Sequence, residues 1–178
     1  MDGSVDGRTV DGAVTVGTLA GVLDARLVGP ADVVPTSVTH DSRRVGPGAL
    51  FCCVIGARAD GHDFAAAAVG DGAVALLVER HLALDVPQLV VGDARAALGP
   101  AAALVLGNPA DRLRTVGVTG TNGKTTVVSM VGHVLGAAGR EVDVIGTLTG
   151  ERTTPEATDL QARLAELVDR GVTDVAME

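Results

Sequence analysis

The sequence predicts an α/β protein in two parts: a small N-terminal α/β domain, then an incomplete domain built on a parallel sheet. Short apolar runs of strand length alternate with helix-length segments along all 178 residues. The pattern resets around Asn108-Pro109, which divides the chain into an arm (1–13), a first domain (14–108) and a second (109–178). The second contains only about three strands, too few for a parallel sheet covered on both faces, so the chain is expected to be cut within it.

The opening residues are acidic and glycine-interrupted, which suits a loose arm and not a signal peptide. VTVGTLAGVLDARLVG (14–29) predicts a strand and then a short helix, stopped by Gly29-Pro30. In THDSRRVGPGALFCCVIGARADGHDF (39–64), Val45-Gly46-Pro47-Gly48 is turn chemistry between two apolar pieces. Asp63 is placed to cap a helix over 65–69, with Gly70-Asp71-Gly72 as its stop. Residues 73–79 and 86–92 read as buried strands. Residues 94–109 read as helix, capped by Asp93 and broken near Gly99-Pro100.

In the second part LRTVGVTG (113–120) is a strand and 124–138 a helix, with Val127, Met130, Val131, Val134 and Leu135 recurring on one side before Gly139. VDVIGTLTG (142–150) is the next strand. Thr154-Pro155-Glu156 opens another helix, with Thr154 as cap and Leu160, Leu164, Leu167 and Val168 as its packed stripe. VTDVAME (172–178) is the last strand. A sheet stopped here would have an unpaired edge, open to aggregation or dimerisation.

Composition narrows the function. Fourteen basic residues against 22 acidic ones give a formal charge of -8, and Phe51 and Phe64 are the only aromatics. Nucleic-acid binding is therefore disfavoured, since both a basic stripe and stacking platforms are lacking. The adjacent Cys52 and Cys53 lack metal-ligand spacing and read as reduced, buried small residues. The apolar runs are too short for membrane insertion, and a cytoplasmic location is expected. His40, His62 and His133 fall in no metal-ligand pattern, and Asp41, Asp60, Asp63 and Asp159 suit caps and turns.

Lys124 is the only lysine; the other thirteen basic residues are Arg. It lies in Gly120-Thr121-Asn122-Gly123-Lys124-Thr125-Thr126, directly after a strand and before a helix. Backbone N–H groups at such a turn surround a polyphosphate, and the helix aims its positive end at it. Lys124 would then meet the β- and γ-phosphates, and the Thr125 hydroxyl would help hold Mg2+. An Arg, with its planar fork, would not fit the same compact nest. The general pattern places Gly six residues before the Lys, where this chain has Val118. The plain alternative is a glycine-rich turn with an incidental Lys. Glu178 closes the last strand on the edge where open α/β sheets gather ligands. It reads as a Mg2+ carboxylate or as an ordinary strand-end acid.

GVTGTNGKTT (117–126) resembles the ATP-binding signature of the Mur ligases. THDSRRVGPGALF (39–51), GARADGHDFAAAAVGDGAVALLVE (56–79) and ERTTPEATDLQARLAELVDRGVTDVAME (151–178) resemble the tripeptide-synthetase branch of that family. The resemblance runs from about Val34 to Glu178. It implies an N-terminal domain for the UDP part of the substrate, received near Ser42 and Arg43, and a P-loop nucleotide-binding domain with ATP and Mg2+ as cofactors. Thr153 and Thr154 match the pair that contacts the UDP-sugar-peptide; their alternative role is to cap the next helix. Glu178 matches the family's Mg2+-associated carboxylate.

The reaction implied joins a diamino acid, meso-diaminopimelate or L-lysine, to UDP-N-acetylmuramoyl-L-alanyl-D-glutamate in peptidoglycan synthesis. The family's modified lysine and its C-terminal domain have no counterpart in these residues, so the 178-residue chain is expected to have little or no ligase activity. Rival readings are a folylpolyglutamate-type ligase, another P-loop enzyme, or a truncated binding module without catalysis.

Overall fold

The computed structural model describes residues 13–147 and 155–178. Contacts divide the chain into two compact units, Met1–Gly107 and Asn108–Glu178. Residues 1–12 of the expected arm (1–13), residues 148–150 of the expected strand 142–150, and Thr153 and Thr154 lie outside the described residues.

In the first unit α1 (Val16–Val22) precedes β1 (Arg26–Val28), so 14–29 is helix then strand, the reverse of the expected order. The Thr15 hydroxyl accepts the Thr18 N–H at 3.2 Å, and Val16, Leu19 and Ala20 bury one helical face. That cap and the three-four spacing outweigh the strand preference of Val14, Thr15 and Val16. β2 (Ser37–Thr39), β3 (Ala49–Cys52), β4 (Ala73–Val78) and β5 (Gln88–Val90) follow. They form one sheet in the order β1-β5-β4-β3-β2, parallel except for β1 against β5. β3 is buried along its whole length, as a strand covered on both faces must be. One side of the core gathers Phe51, Cys53, Leu76 and Val78 with Ala65 and Ala68 of α2 (Ala65–Gly70).

Two expected helix details change. Asp60, not Asp63, is the capping acid: its carboxylate accepts the His62 N–H at 2.9 Å and opens the 3-10 turn Gly61–Phe64 that leads into α2. α3 (Ala94–Val105) runs through Pro100 unbroken, capped by Asp93 onto the Ala96 N–H at 2.9 Å. Pro100 removes a single backbone donor, and burial of Leu98, Ala101 and Ala102 along the helix offsets that loss.

The second unit opens with Asn108 in the left-handed region and the 3-10 turn Pro109–Arg112. β6 (Arg114–Gly117), β7 (Val142–Ile145) and β8 (Asp174–Met177) form a fully parallel sheet in the order β6-β8-β7. The last strand is central, and α4 (Lys124–Ala137) and α5 (Ala157–Asp169) are the crossovers. Leu164 and Leu167 of α5 pack on Leu113, Ile145 and Val175. Among the described residues β6 pairs only with β8, and all four of its residues are exposed.

The expected stripe of α4 holds only in part: Val131 and Leu135 are half-buried beside the buried Val128 and Gly132, while Val127, Met130 and Val134 are exposed. A Cβ on Gly132 would stand 2.7 Å from Val144 Cγ2, so the helix approaches β7 most closely at a position without a side chain. α5 starts at Ala157, with Glu156 at the cap position and no side-chain hydrogen bond from it to the helix. The Thr154-Pro155-Glu156 start is therefore displaced by two residues.

Candidate functional site at the strand ends of the second unit

All three strands of the second unit point their carboxyl ends the same way, and each is followed by a residue of chemical interest. Past β6 the chain makes one more sheet bond, Val118 N–H to the Met177 carbonyl at 2.8 Å, and enters the loop 119–123. Gly120 has φ +153 and Gly123 φ +78, values that side-chain-bearing residues rarely adopt. These two glycines turn the chain sharply enough for α4 to begin at Lys124.

Gly123 occupies the cap position of α4 and supplies no side-chain acceptor. The first N–H groups of a 14-residue helix, at Lys124, Thr125 and Thr126, are thus presented without a side-chain cap from that position. Thr121, Asn122 and Gly123 are exposed beside them. The Lys124 ammonium folds back to donate to the Gly120 carbonyl at 2.7 Å, which places a positive charge over the loop. The first-turn N–H groups of α4, the positive end of its dipole and one ammonium group suit a polyanion.

Glu178, which follows β8, approaches this loop. Its N–H bonds to the Ile145 carbonyl at 3.0 Å, extending the sheet by one residue. Its carboxylate accepts hydrogen bonds from the Thr125 hydroxyl and from Thr147. Burial opposes the charge on Glu178, but the Thr147 N–H, the hydroxyls of Thr125 and Thr147 and the charge of Lys124 outweigh it, so its pKa lies below the usual value.

Thr125 and Glu178 are therefore adjacent, with Lys124 near by. One carboxylate and one hydroxyl suit Mg2+, which keeps several waters and takes its remaining ligands from substrate phosphates. Among the described residues no group of three or more His, Cys, Asp and Glu gathers into a metal cage.

Two residues in this constellation escape sequence reading: Gly146 and Thr147, directly after β7. The signal for them was a Gly-Thr pair at the end of an apolar strand, in the same topological position as the loop after β6.

In the first unit Ser42 and Arg43 lie in the 3-10 turn Ser42–Arg44, capped by Asp41. Asp41 accepts the Arg43 N–H at 3.0 Å and both arms of its guanidinium, Nε at 2.9 Å and a terminal nitrogen at 2.7 Å. The Arg43 side-chain hydrogen bonds, then its N–H, hold the Asp41 pKa down at about 2. Arg43 is still 86% exposed, so its charge remains open to an anionic group. His62 is buried in the turn before α2. Nδ1 pairs with Asp60 at 2.6 Å and Nε2 accepts the Glu79 N–H at 3.0 Å. Asp60 also pairs with Arg80 at 2.9 Å. His133 bonds to the Ser129 carbonyl one turn earlier on α4, as a helix-surface residue does.

A glycine loop between strand and helix, followed by Lys-Thr and faced by a carboxylate from the neighbouring parallel strand, defines the P-loop type of α/β domain. Comparison with known proteins narrows this: residues 35–116 match the profile "Mur ligase family, catalytic domain" and residues 118–178 match "Mur ligase middle domain". The chain belongs to the Mur ligase family.

It is 45% identical over 159 residues to the UDP-N-acetylmuramoyl-L-alanyl-D-glutamate--2,6-diaminopimelate ligase of Geobacillus thermodenitrificans, across 84% of this chain and 32% of that protein. To the ligase of the same name from Streptomyces coelicolor it is 45% identical over 157 residues, across 80% of this chain and 31% of that protein. These relatives are MurE-type ligases. Among solved structures, MurF from Acinetobacter baumannii superposes with a TM-score of 0.66 at 27% identity, over 92% of this chain and 35% of that one. The chain spans about a third of the length of the curated relatives it matches. No helix among the described residues is long and apolar enough to cross a membrane.

Proposed function

We propose that this chain is the UDP-substrate-binding domain and part of the ATP-binding domain of a MurE-type ligase. The reaction joins 2,6-diaminopimelate to UDP-N-acetylmuramoyl-L-alanyl-D-glutamate. The observation that carries this reading is the meeting of Lys124, Thr125 and Glu178 beside the Gly120–Gly123 turn. The name shared by the matched relatives supports diaminopimelate over L-lysine as the incoming diamino acid.

In the reaction a substrate carboxylate attacks the γ-phosphorus of ATP, giving an acyl phosphate and ADP. The amine of the diamino acid then attacks the acyl carbon; phosphate leaves, the nitrogen loses a proton and the amide forms. Lys124 leaves the Gly120 carbonyl for the β- and γ-phosphate oxygens and offsets the charge that builds on the transferring group. The N–H groups of 124–126 hold the phosphates, and Gly120, Thr121, Asn122 and Gly123 shape the loop around them. Thr125 and Glu178 would hold Mg2+, whose charge would offset that of the phosphates. Ser42 and the exposed Arg43 serve the UDP diphosphate, and Thr153 and Thr154 the sugar-peptide.

The test is nucleotide affinity. Titration of the chain with a fluorescent ATP analogue and Mg2+ should give saturable binding, weakened at least ~10-fold by Lys124→Ala, since loss of one charge-assisted phosphate contact removes about 1.5–3 kcal/mol. Equal affinity in the variant would overturn the reading. The 178-residue chain alone should show no amide formation with all three substrates, whereas a protein of the relatives' length that includes it should release phosphate only when both the UDP-dipeptide and the diamino acid are present.

A further inference from the structure

The Glu178 carboxylate is gripped from a second strand. Thr147, the second residue after β7, donates its N–H to Oε1 at 3.1 Å and its hydroxyl to Oε2 at 3.1 Å. One residue thus addresses both oxygens from one side, while the Thr125 hydroxyl of α4 bonds to the same carboxylate. Gly146 makes the approach possible. A Cβ there would collide with Oε1 and stand 2.8 Å from Cδ and 2.9 Å from Cγ of Glu178. The adjoining backbone is fixed as well, by the Glu178 N–H on the Ile145 carbonyl at 3.0 Å.

The last torsion of a glutamate is broad and roughly two-fold, so a carboxylate at the end of a strand has no preset plane. Two donors on different oxygens give it one. We propose that Gly146 and Thr147 form a cradle that presets the Glu178 carboxylate beside Thr125, making Thr147 a positioning residue for the divalent cation that accompanies the nucleotide. The inference rests on the reading of 120–126 and Glu178 as a Mg2+-nucleotide site. It adds a residue on β7's side of the sheet whose task is to orient a ligand without touching the cation. Partners of this kind commonly govern 10- to 100-fold in metal affinity, roughly the effect expected here.

The experiment uses Mn2+ as the probe, followed by electron paramagnetic resonance in the 178-residue chain with a non-hydrolysable ATP analogue. Nucleotide affinity is measured separately in EDTA. Thr147→Val keeps the shape and the backbone N–H but removes the hydroxyl; it should weaken Mn2+ binding ~10-fold and leave metal-free nucleotide affinity unchanged. Thr147→Ser should restore Mn2+ affinity to nearly the parent value, which a purely steric role for Thr147 would not require. Gly146→Ala should lose more than Thr147→Val, because its methyl displaces the carboxylate itself. Unchanged thermal melts establish that the variants are folded, and the Ser variant carries the test if Val proves unstable.

Parent-like Mn2+ affinity in Thr147→Val, or failure of Thr147→Ser to recover, overturns the cradle. If Lys124→Ala weakens nucleotide binding at least ~10-fold, the nucleotide reading survives that result. A parent chain that binds no nucleotide overturns both.

Discussion

Gly61 and Gly70 lie nine residues apart, and alanine at each should have opposite effects. Gly61 opens the turn that carries His62, and its N–H bonds to the Val54 carbonyl at 3.0 Å. A Cβ there would stand 2.7 Å from Val54 N, 2.8 Å from Val54 O and 2.9 Å from the Cys53 carbonyl carbon. These are backbone atoms leaving a buried strand, so no rotamer change relieves the clash. Gly70 ends α2, where an added Cβ has nothing within 4 Å.

Overpacking costs about 1–3 kcal/mol, and Gly61→Ala should fall in the upper half of that range because backbone must move. Gly70→Ala should gain about 0.4–1 kcal/mol from the reduced entropy of the unfolded chain. The difference, roughly 2.5–4 kcal/mol, corresponds to a Tm separation of about 5–15 °C at 2–4 °C per kcal/mol. Thermal and urea melts of the two variants, followed by circular dichroism, measure it. The reasoning is refuted if Gly61→Ala melts at or above the temperature of Gly70→Ala.

Three further outcomes are expected. Asp41 should titrate at about 2 instead of 3.8 by NMR, and Arg43→Ala should move it back toward 3.8. Because its folded pKa is depressed, its contribution to stability is present above 3.8 and lost as pH falls toward about 2; it should be small, since Arg43 is largely exposed. His62→Leu leaves the Glu79 N–H without its acceptor and removes one of the partners of Asp60, and should cost about 1–3 kcal/mol in urea melts; a loss below about 0.5 would deny the ring this role. Burial pushes the Cys53 thiol up to about 12 and the buried Cys52 higher still, so neither should react with a disulfide reagent at pH 8 except through unfolding. Stoichiometric labelling of the native chain within seconds would contradict that burial.

Much of this molecule was legible in its residue order because the relevant physics is local. Asp93 before an alanine-rich run specifies a capped helix wherever it occurs, and the apolar run 73–79 has few uses besides a buried strand. The turn 120–123 belongs to the same class: glycines between a strand and a helix that opens Lys-Thr-Thr mark it within seven residues. Where local signals competed, reading went astray. Thr15 as a cap reversed the order of α1 and β1, and Asp60, not its neighbour Asp63, took the capping position because the turn begins at Gly61.

What the sequence determined alone was the class of the fold and the glycine-rich turn at 120–126 between a strand and a helix, since backbone freedom and charge are properties of contiguous residues. Only the tertiary structure decided that α4 rests on Gly132 with Met130 and Val134 facing out, because the closest approach of helix to sheet goes to the side without a side chain. It alone brought Gly146 and Thr147 to a carboxylate about thirty residues further along, Thr147 being 31 residues away. The parallel register that sets β7 against β8 makes those strand ends neighbours, and nothing in the intervening residues announces that pairing.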